Sequence, residues 1–192
     1  MCVSCEPKKE KLVYKPNIYI YPEESINLEV YLDFPQGGRV VASIPEYGNY
    51  WDVFVDTTGI IDNSYRYLFY ESAQPDEWQR YEGWLVEQKD LESFFKENLH
   101  QYGFKGIEID DFIEYWIPRL SSSKYYSIYP QTQDEINPLI DLSFSVMPDN
   151  IQRLFYYIHG ADELPENPIK EPEIDNSFER EGFFVVEWGV II

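Results

Sequence analysis

The clearest alternation in the chain runs from Asn27 to Phe34. Leu28, Val30, Leu32 and Phe34 are apolar, with Asn27, Glu29, Tyr31 and Asp33 between them. A period of two predicts a half-buried strand, because successive side chains leave opposite faces of the pleat. Pro35-Gln36-Gly37-Gly38 follows as a turn, and Arg39 to Ile44 is expected to return antiparallel until Pro45 stops it. Trp51, Val53 and Val55 alternate again, with Asp52, Phe54 and Asp56 on the other face. Upstream, Asn17 to Tyr21 is a short apolar and aromatic run ended by Pro22. Further strands are expected over 65–71, 83–86, 125–129, 139–146 and 154–158, and a buried terminal strand over 183–192. Aromatics and β-branched residues crowd these stretches, with turn residues between them.

One region has another period. Leu91, Phe94, Phe95, Leu99 and Tyr102 recur at the spacing of one helix face, with Asp90 placed as an N-cap and Gly103 just past the end. Phe112, Ile113 and Trp116 predict a second helix, with Glu108, Asp110 and Asp111 in its first turn and Pro118 closing it. The fold class is therefore α+β: a predominantly antiparallel β-sandwich or partly open barrel with a helical pair inserted at about 88–118. The Pro- and Glu-rich stretch 162–176 reads as a long surface loop. Residues 1–15 are expected to be a charged, lipoprotein-like tether and 16–192 a single domain.

Composition narrows the partners. The 192 residues carry 35 acidic and 15 basic side chains, a formal charge of −20. Such a field repels phosphate backbones, so nucleic acid is not an expected partner. Anionic membrane surfaces are disfavoured equally unless a lipid anchor supplies the attachment. With 44% hydrophobic and 18% aromatic residues the chain has ample material for a core. Cys2 and Cys5 are its two cysteines, so no disulfide framework is expected in the body. The run from Cys5 through Glu6-Pro7-Lys8-Lys9-Glu10-Lys11 looks like the end of a bacterial lipoprotein signal. Cys5 is then the lipidated thiol, and the cell envelope, anchored or secreted, the expected location.

Four longer stretches carry a resemblance: Lys15-Pro16-Asn17-Ile18-Tyr19-Ile20-Tyr21-Pro22, Tyr67-Leu68-Phe69-Tyr70-Glu71, Phe112-Ile113-Glu114-Tyr115-Trp116-Ile117-Pro118-Arg119-Leu120 and Gly182-Phe183-Phe184-Val185-Val186-Glu187-Trp188-Gly189. Through them the chain from Lys15 onward resembles an uncharacterised family of bacterial secreted or lipoprotein-like proteins. The resemblance implies a shared fold and export. It implies no activity.

Candidate chemistry is sparse. Glu71 and Glu187 each close an aromatic run and could face one another as the paired carboxylates of a polymer hydrolase. Arg119, just past the second helix, could fork onto either or complete the helix end. His100 and His159 lack the spacing of a zinc site, and Asp110, Asp111 and Glu114 lack a calcium loop, so neither a metal nor a cofactor is expected. Tyr50, Trp51, Trp78 and Trp84 fall at strand ends or turns and are candidates for an exposed aromatic strip that stacks on sugars or anchors a protein. The leading expectation is a non-catalytic envelope module that binds a protein or a glycan. A hydrolase using Glu71 and Glu187, or a structural accessory domain, are the alternatives.

Overall fold

A computed structural model describes residues 9–175 and 177–192. The strands are β1 (Glu10–Tyr21), β2 (Ile26–Asp33), β3 (Arg39–Ile44), β4 (Trp51–Val55), β5 (Leu68–Pro75), β6 (Trp84–Glu87), β7 (Tyr125–Gln131), β8 (Asp141–Phe144), β9 (Asn150–Ala161) and β10 (Phe184–Ile191). The helices are α1 (Leu91–Gln101), α2 (Ile107–Trp116) and the single turn α3 (Gln133–Ile136). They build three layers. A seven-stranded sheet, in the order β3-β5-β1-β10-β9-β7-β6, lies between a three-stranded sheet, β4-β2-β8, and the α1–α2 pair. Among the described residues every pairing between these strands is antiparallel except β9 with β10. The α+β sandwich is thus the observed fold, as two open sheets rather than a closed barrel.

Alternation explains the layering. On β10, Val185, Glu187 and Ile191 face the small sheet, while Val186, Trp188 and Val190 face the helices. The first set packs with Ile18, Leu28, Val30, Val53, Tyr70 and Phe155. The second packs with Phe95, Phe104, Phe112 and Tyr156, where Phe112 meets Trp188 edge-on at 5.1 Å and Phe95 meets Tyr156 at 5.2 Å. Edge-to-face geometry suits the ring quadrupoles and adds to the area removed from water. The Trp188 indole N–H donates to the Glu108 carbonyl at 2.9 Å, which ties α2 to the sheet.

Several expectations change at this level. β3 does not return along β2; it pairs with β5 in the other sheet. Pro35–Gly38 therefore acts as a crossover between layers, with Gly37 at φ +88°. Leu28, Val30 and Val53 are buried, as the alternation requires, but in the small sheet, whereas the terminal strand belongs to the large one. Residues 10–15 are not tether: Glu10 to Lys15 form the first half of β1, between β5 and β10. Leu12 and Val13 interrupt the charges and leave opposite faces of the strand, Leu12 exposed and Val13 fully buried. The stretch 139–146 yields only the four-residue β8, preceded by α3. Asp90 ends a short 3-10 turn and makes no side-chain cap. Gly103 does terminate α1, at φ +91°. Cys5 lies outside the described residues.

A Lys15 cavity as the candidate functional site

Pro16 has no N–H to give a sheet ladder, and β1 breaks its register there. Val13 pairs with Ser72 and Asn17 with Phe69, so three residues of β1 (Tyr14, Lys15 and Pro16) oppose two of β5, Tyr70 and Glu71. This is a β-bulge. Lys15 takes φ +52°, a left-handed conformation that costs an L side chain roughly 1–2 kcal/mol. On the other side Pro16 packs over Gly189 of β10, where an added Cβ would come within 3.2 Å of the proline ring. The bulge re-aims the Lys15 side chain onto the helix-facing side of the sheet.

There the ammonium sits among three rings. Its Nζ lies 4.9 Å from the Tyr67 centroid and 5.0 Å from those of Phe69 and Tyr115. It donates long hydrogen bonds to the Tyr67 hydroxyl, 3.3 Å, and to Asn17 Oδ1, 3.5 Å. Among the described residues no carboxylate pairs with it, although acids outnumber bases by more than two to one. Ring quadrupoles support the charge without neutralising it.

A cavity of about 380 Å³ opens beside this lysine, lined by Lys15, Ile44, Ser64, Tyr65, Arg66, Tyr67, Phe69 and Tyr115. That volume is in the range of about 300–1,000 Å³ usual for small-molecule sites. Arg66, half exposed, donates to Asp111 Oδ1 at 2.9 Å. Asp111 is buried on α2 and accepts a second bond from the Tyr19 hydroxyl, 3.0 Å. Burial pushes the Tyr19 phenol far above the ordinary tyrosine range; a bond from Asn17 opposes this and Asp111 adds to it. Tyr19 thus stays a neutral donor. Arg119 lies outside this lining, against Tyr115. Its guanidinium lies 3.7 Å from the Tyr115 ring centroid and caps α2 through the Tyr115 carbonyl at 2.7 Å. Two cations and four aromatic rings therefore line one cavity of a strongly acidic molecule, an arrangement suited to holding an anion that has an apolar body.

The candidates read from sequence are placed differently. Glu187 is fully buried between the sheets, where Arg153 Nε donates to it at 2.5 Å and the Tyr70 hydroxyl at 2.8 Å. Glu71 alternates with Tyr70 and points to the opposite face of the same sheet. The two carboxylates share no cleft, because adjacent residues on a strand cannot serve one side. Arg119 forks onto neither and completes the helix end. Trp51 and Trp78 are buried, and Trp84 is half buried against Phe94, so they form no exposed strip. Only Tyr50 is exposed, 5.2 Å from Tyr31 on the outer face of the small sheet. His100 and His159 are exposed on α1 and β9. Among the described residues no three His, Cys, Asp or Glu side chains gather as a metal site.

Lys15, Arg66, Tyr67, Phe69 and Tyr115 were not singled out by sequence reasoning. A Lys-Pro pair inside a strand run was the available signal, since proline there marks a bulge. Comparison of the chain with protein-family models, curated proteins and solved structures finds no match, so the chemistry of this site rests on its own side chains.

Proposed function

We propose that the chain is a non-catalytic binding module of the bacterial envelope that holds a small anionic ligand, or the anionic end of a larger one, in the Lys15 cavity. One observation carries this reading: an ammonium that pairs with no carboxylate among the described residues, fixed by a strained bulge, facing an aromatic-walled cavity. Strain of that kind persists where the surrounding structure enforces it, and such positions cluster at ligand sites. The envelope location rests on the lipoprotein-like stretch at Cys5 and on the family resemblance. The hydrolase alternative loses its geometric basis with Glu71 and Glu187 on opposite faces. The test is a titration with small anions, including acetate, benzoate, glucuronate and inorganic phosphate, followed by tyrosine fluorescence and backbone amide shifts. Saturable binding that disappears in Lys15→Met is expected. Absence of saturable binding by every anion would refute the proposal.

The Tyr31–Tyr50 pair favours a second reading, a glycan contact on the small sheet. The rings lie 5.2 Å apart and tilted by 33°, and the Tyr31 hydroxyl donates to Glu29 at 2.5 Å. Loss of glycan retention in Tyr50→Ala, with retention intact in Lys15→Met, would support this reading over the first.

A further inference from the structure

The Lys15 cavity is larger than a bare anion needs, and its chemistry is uneven. Lys15 and Arg66 supply charge, whereas Ile44, Tyr65, Phe69 and Tyr115 supply apolar and aromatic wall. Lys15 makes only two long bonds to neutral oxygens and keeps donor capacity. Arg66 is held by one bond, Nη2 to Asp111, and its side chain is 52% exposed, so much of its planar fork remains free. A guanidinium fork matches a carboxylate in two-point geometry. Were Arg66 to turn inward, Asp111 would keep the Tyr19 hydroxyl as a partner and would not be stranded. A dianion suits the place poorly. The cavity contains no helix N-terminus or glycine nest of the kind that cradles phosphate, and Tyr115 lies in the last turn of α2, near its negative end.

We infer that the ligand is a carboxylate borne on a six-membered ring, bound between Lys15 and an Arg66 that leaves Asp111 for it, a step that rests on the cavity being the binding site. The ring packs on the aromatic wall while the carboxylate bridges the ammonium and the guanidinium. Arg66 is then the specificity-determining residue, and its bond to Asp111 is the competitor that the ligand must displace. Flat aryl acids and uronic acids share this chemistry.

The experiment is calorimetric titration of wild type, Arg66→Gln, Arg66→Lys and Asp111→Asn with benzoate, glucuronate, acetate and inorganic phosphate. One or both ring acids should bind at least about tenfold tighter than acetate and phosphate, a difference large enough to rank directly. Benzoate ahead of glucuronate identifies an aryl ligand, and the reverse order a sugar acid. Arg66→Gln should weaken acetate and the ring acids alike and so remove their advantage over phosphate, and Arg66→Lys should restore it only in part because the fork is lost. Asp111→Asn keeps an acceptor for Tyr19 yet releases Arg66, so it should tighten ring-acid binding severalfold, an effect that a purely structural Arg66–Asp111 pair would not produce. Acetate or phosphate binding as tightly as both ring acids would overturn the ligand class while leaving the cavity as an anion site. Unchanged or weaker ring-acid binding in Asp111→Asn, with an unchanged melting temperature, would overturn the displacement of Arg66. If no anion binds at all, the cavity reading itself fails.

Discussion

The large sheet holds a cation on each of its faces, and the two are treated oppositely. Arg153, toward the small sheet, is 2% exposed and is matched by Glu187 directly across the parallel β9–β10 pair. Asn137 Oδ1 and the Ile140 carbonyl accept from its Nη1 at 2.8 and 2.7 Å, and Tyr70 donates to Glu187. Lys15, on the helix side, has rings and two neutral oxygens. A fully dehydrated charge must be paired and hydrogen-bonded, since isolation costs several kcal/mol. A charge at a cavity mouth can stay unneutralised because water, or a ligand, completes it. One cation is enclosed by the architecture, and the other lines a cavity with donor capacity unspent.

The strongest way to break this contrast is at the buried pair. Glu187→Ala or Arg153→Met should each lower unfolding stability by about 3–5 kcal/mol, because each strands a buried charge. Arg153→Met combined with Glu187→Leu should recover most of that loss in urea melts. Lys15→Met should behave differently, losing about 1–2 kcal/mol from the missing cation–π contacts while abolishing anion binding. A loss as large as that of the buried pair would mean that Lys15 is structural.

A finer comparison isolates the bulge. Lys15→Gly and Lys15→Ala both delete the ammonium, but only glycine accepts φ +52° without strain. The glycine variant should therefore be the more stable by about 1 kcal/mol in chemical denaturation. Equal stability would remove strain from the account of this site.

The smallest effects lie in alkaline titration. Burial lifts the Tyr70 and Tyr156 phenols well above the ordinary tyrosine range, Glu187 adding to it for Tyr70 and Tyr102 for Tyr156. A folded pKa above the unfolded one gives stability that is fully present below about pH 10 and is lost as pH rises beyond it. At the surface, the hydrogen bond to Glu29 pushes the Tyr31 phenol up to about 12. In an ultraviolet titration Tyr31 should ionise late, and Glu29→Gln should return it toward the ordinary range. An unaltered titration in that variant would remove Glu29 as the cause.

Strands were legible wherever one face meets water, as in β2 and β4, because alternation then marks the inner side. The helical pair was legible for the equivalent reason at a period of 3.6. Pairing was not. The β2–β3 turn carries hairpin residues, yet the chain crosses between sheets there, and nothing local distinguishes the two outcomes. The first half of β1 was hidden by Glu10 and Lys11, whose charges read as tether although Glu10 pairs with Arg39 and Lys11 donates to the Ile192 carbonyl at 2.8 Å. Tryptophans at strand ends suggested a surface strip, but Trp51 turns inward to donate to the Pro45 carbonyl at 2.9 Å. The Lys15 site was least visible of all. It joins residues 15, 66 and 115, brought together only by a bulge, a loop and a helix end.

The neighbouring places of β1 and β10 in the middle of the large sheet have a consequence for synthesis on the ribosome. β1 must wait for β10 before it acquires its second neighbour, so β1 and β9 each present an unpaired, largely apolar edge until β10 emerges. Acquisition of the native sheet therefore needs closure between strands far apart in sequence, slow by the standards of local helical folds. An unpaired edge of this kind invites self-association, and the 20 excess negative charges oppose it by mutual repulsion.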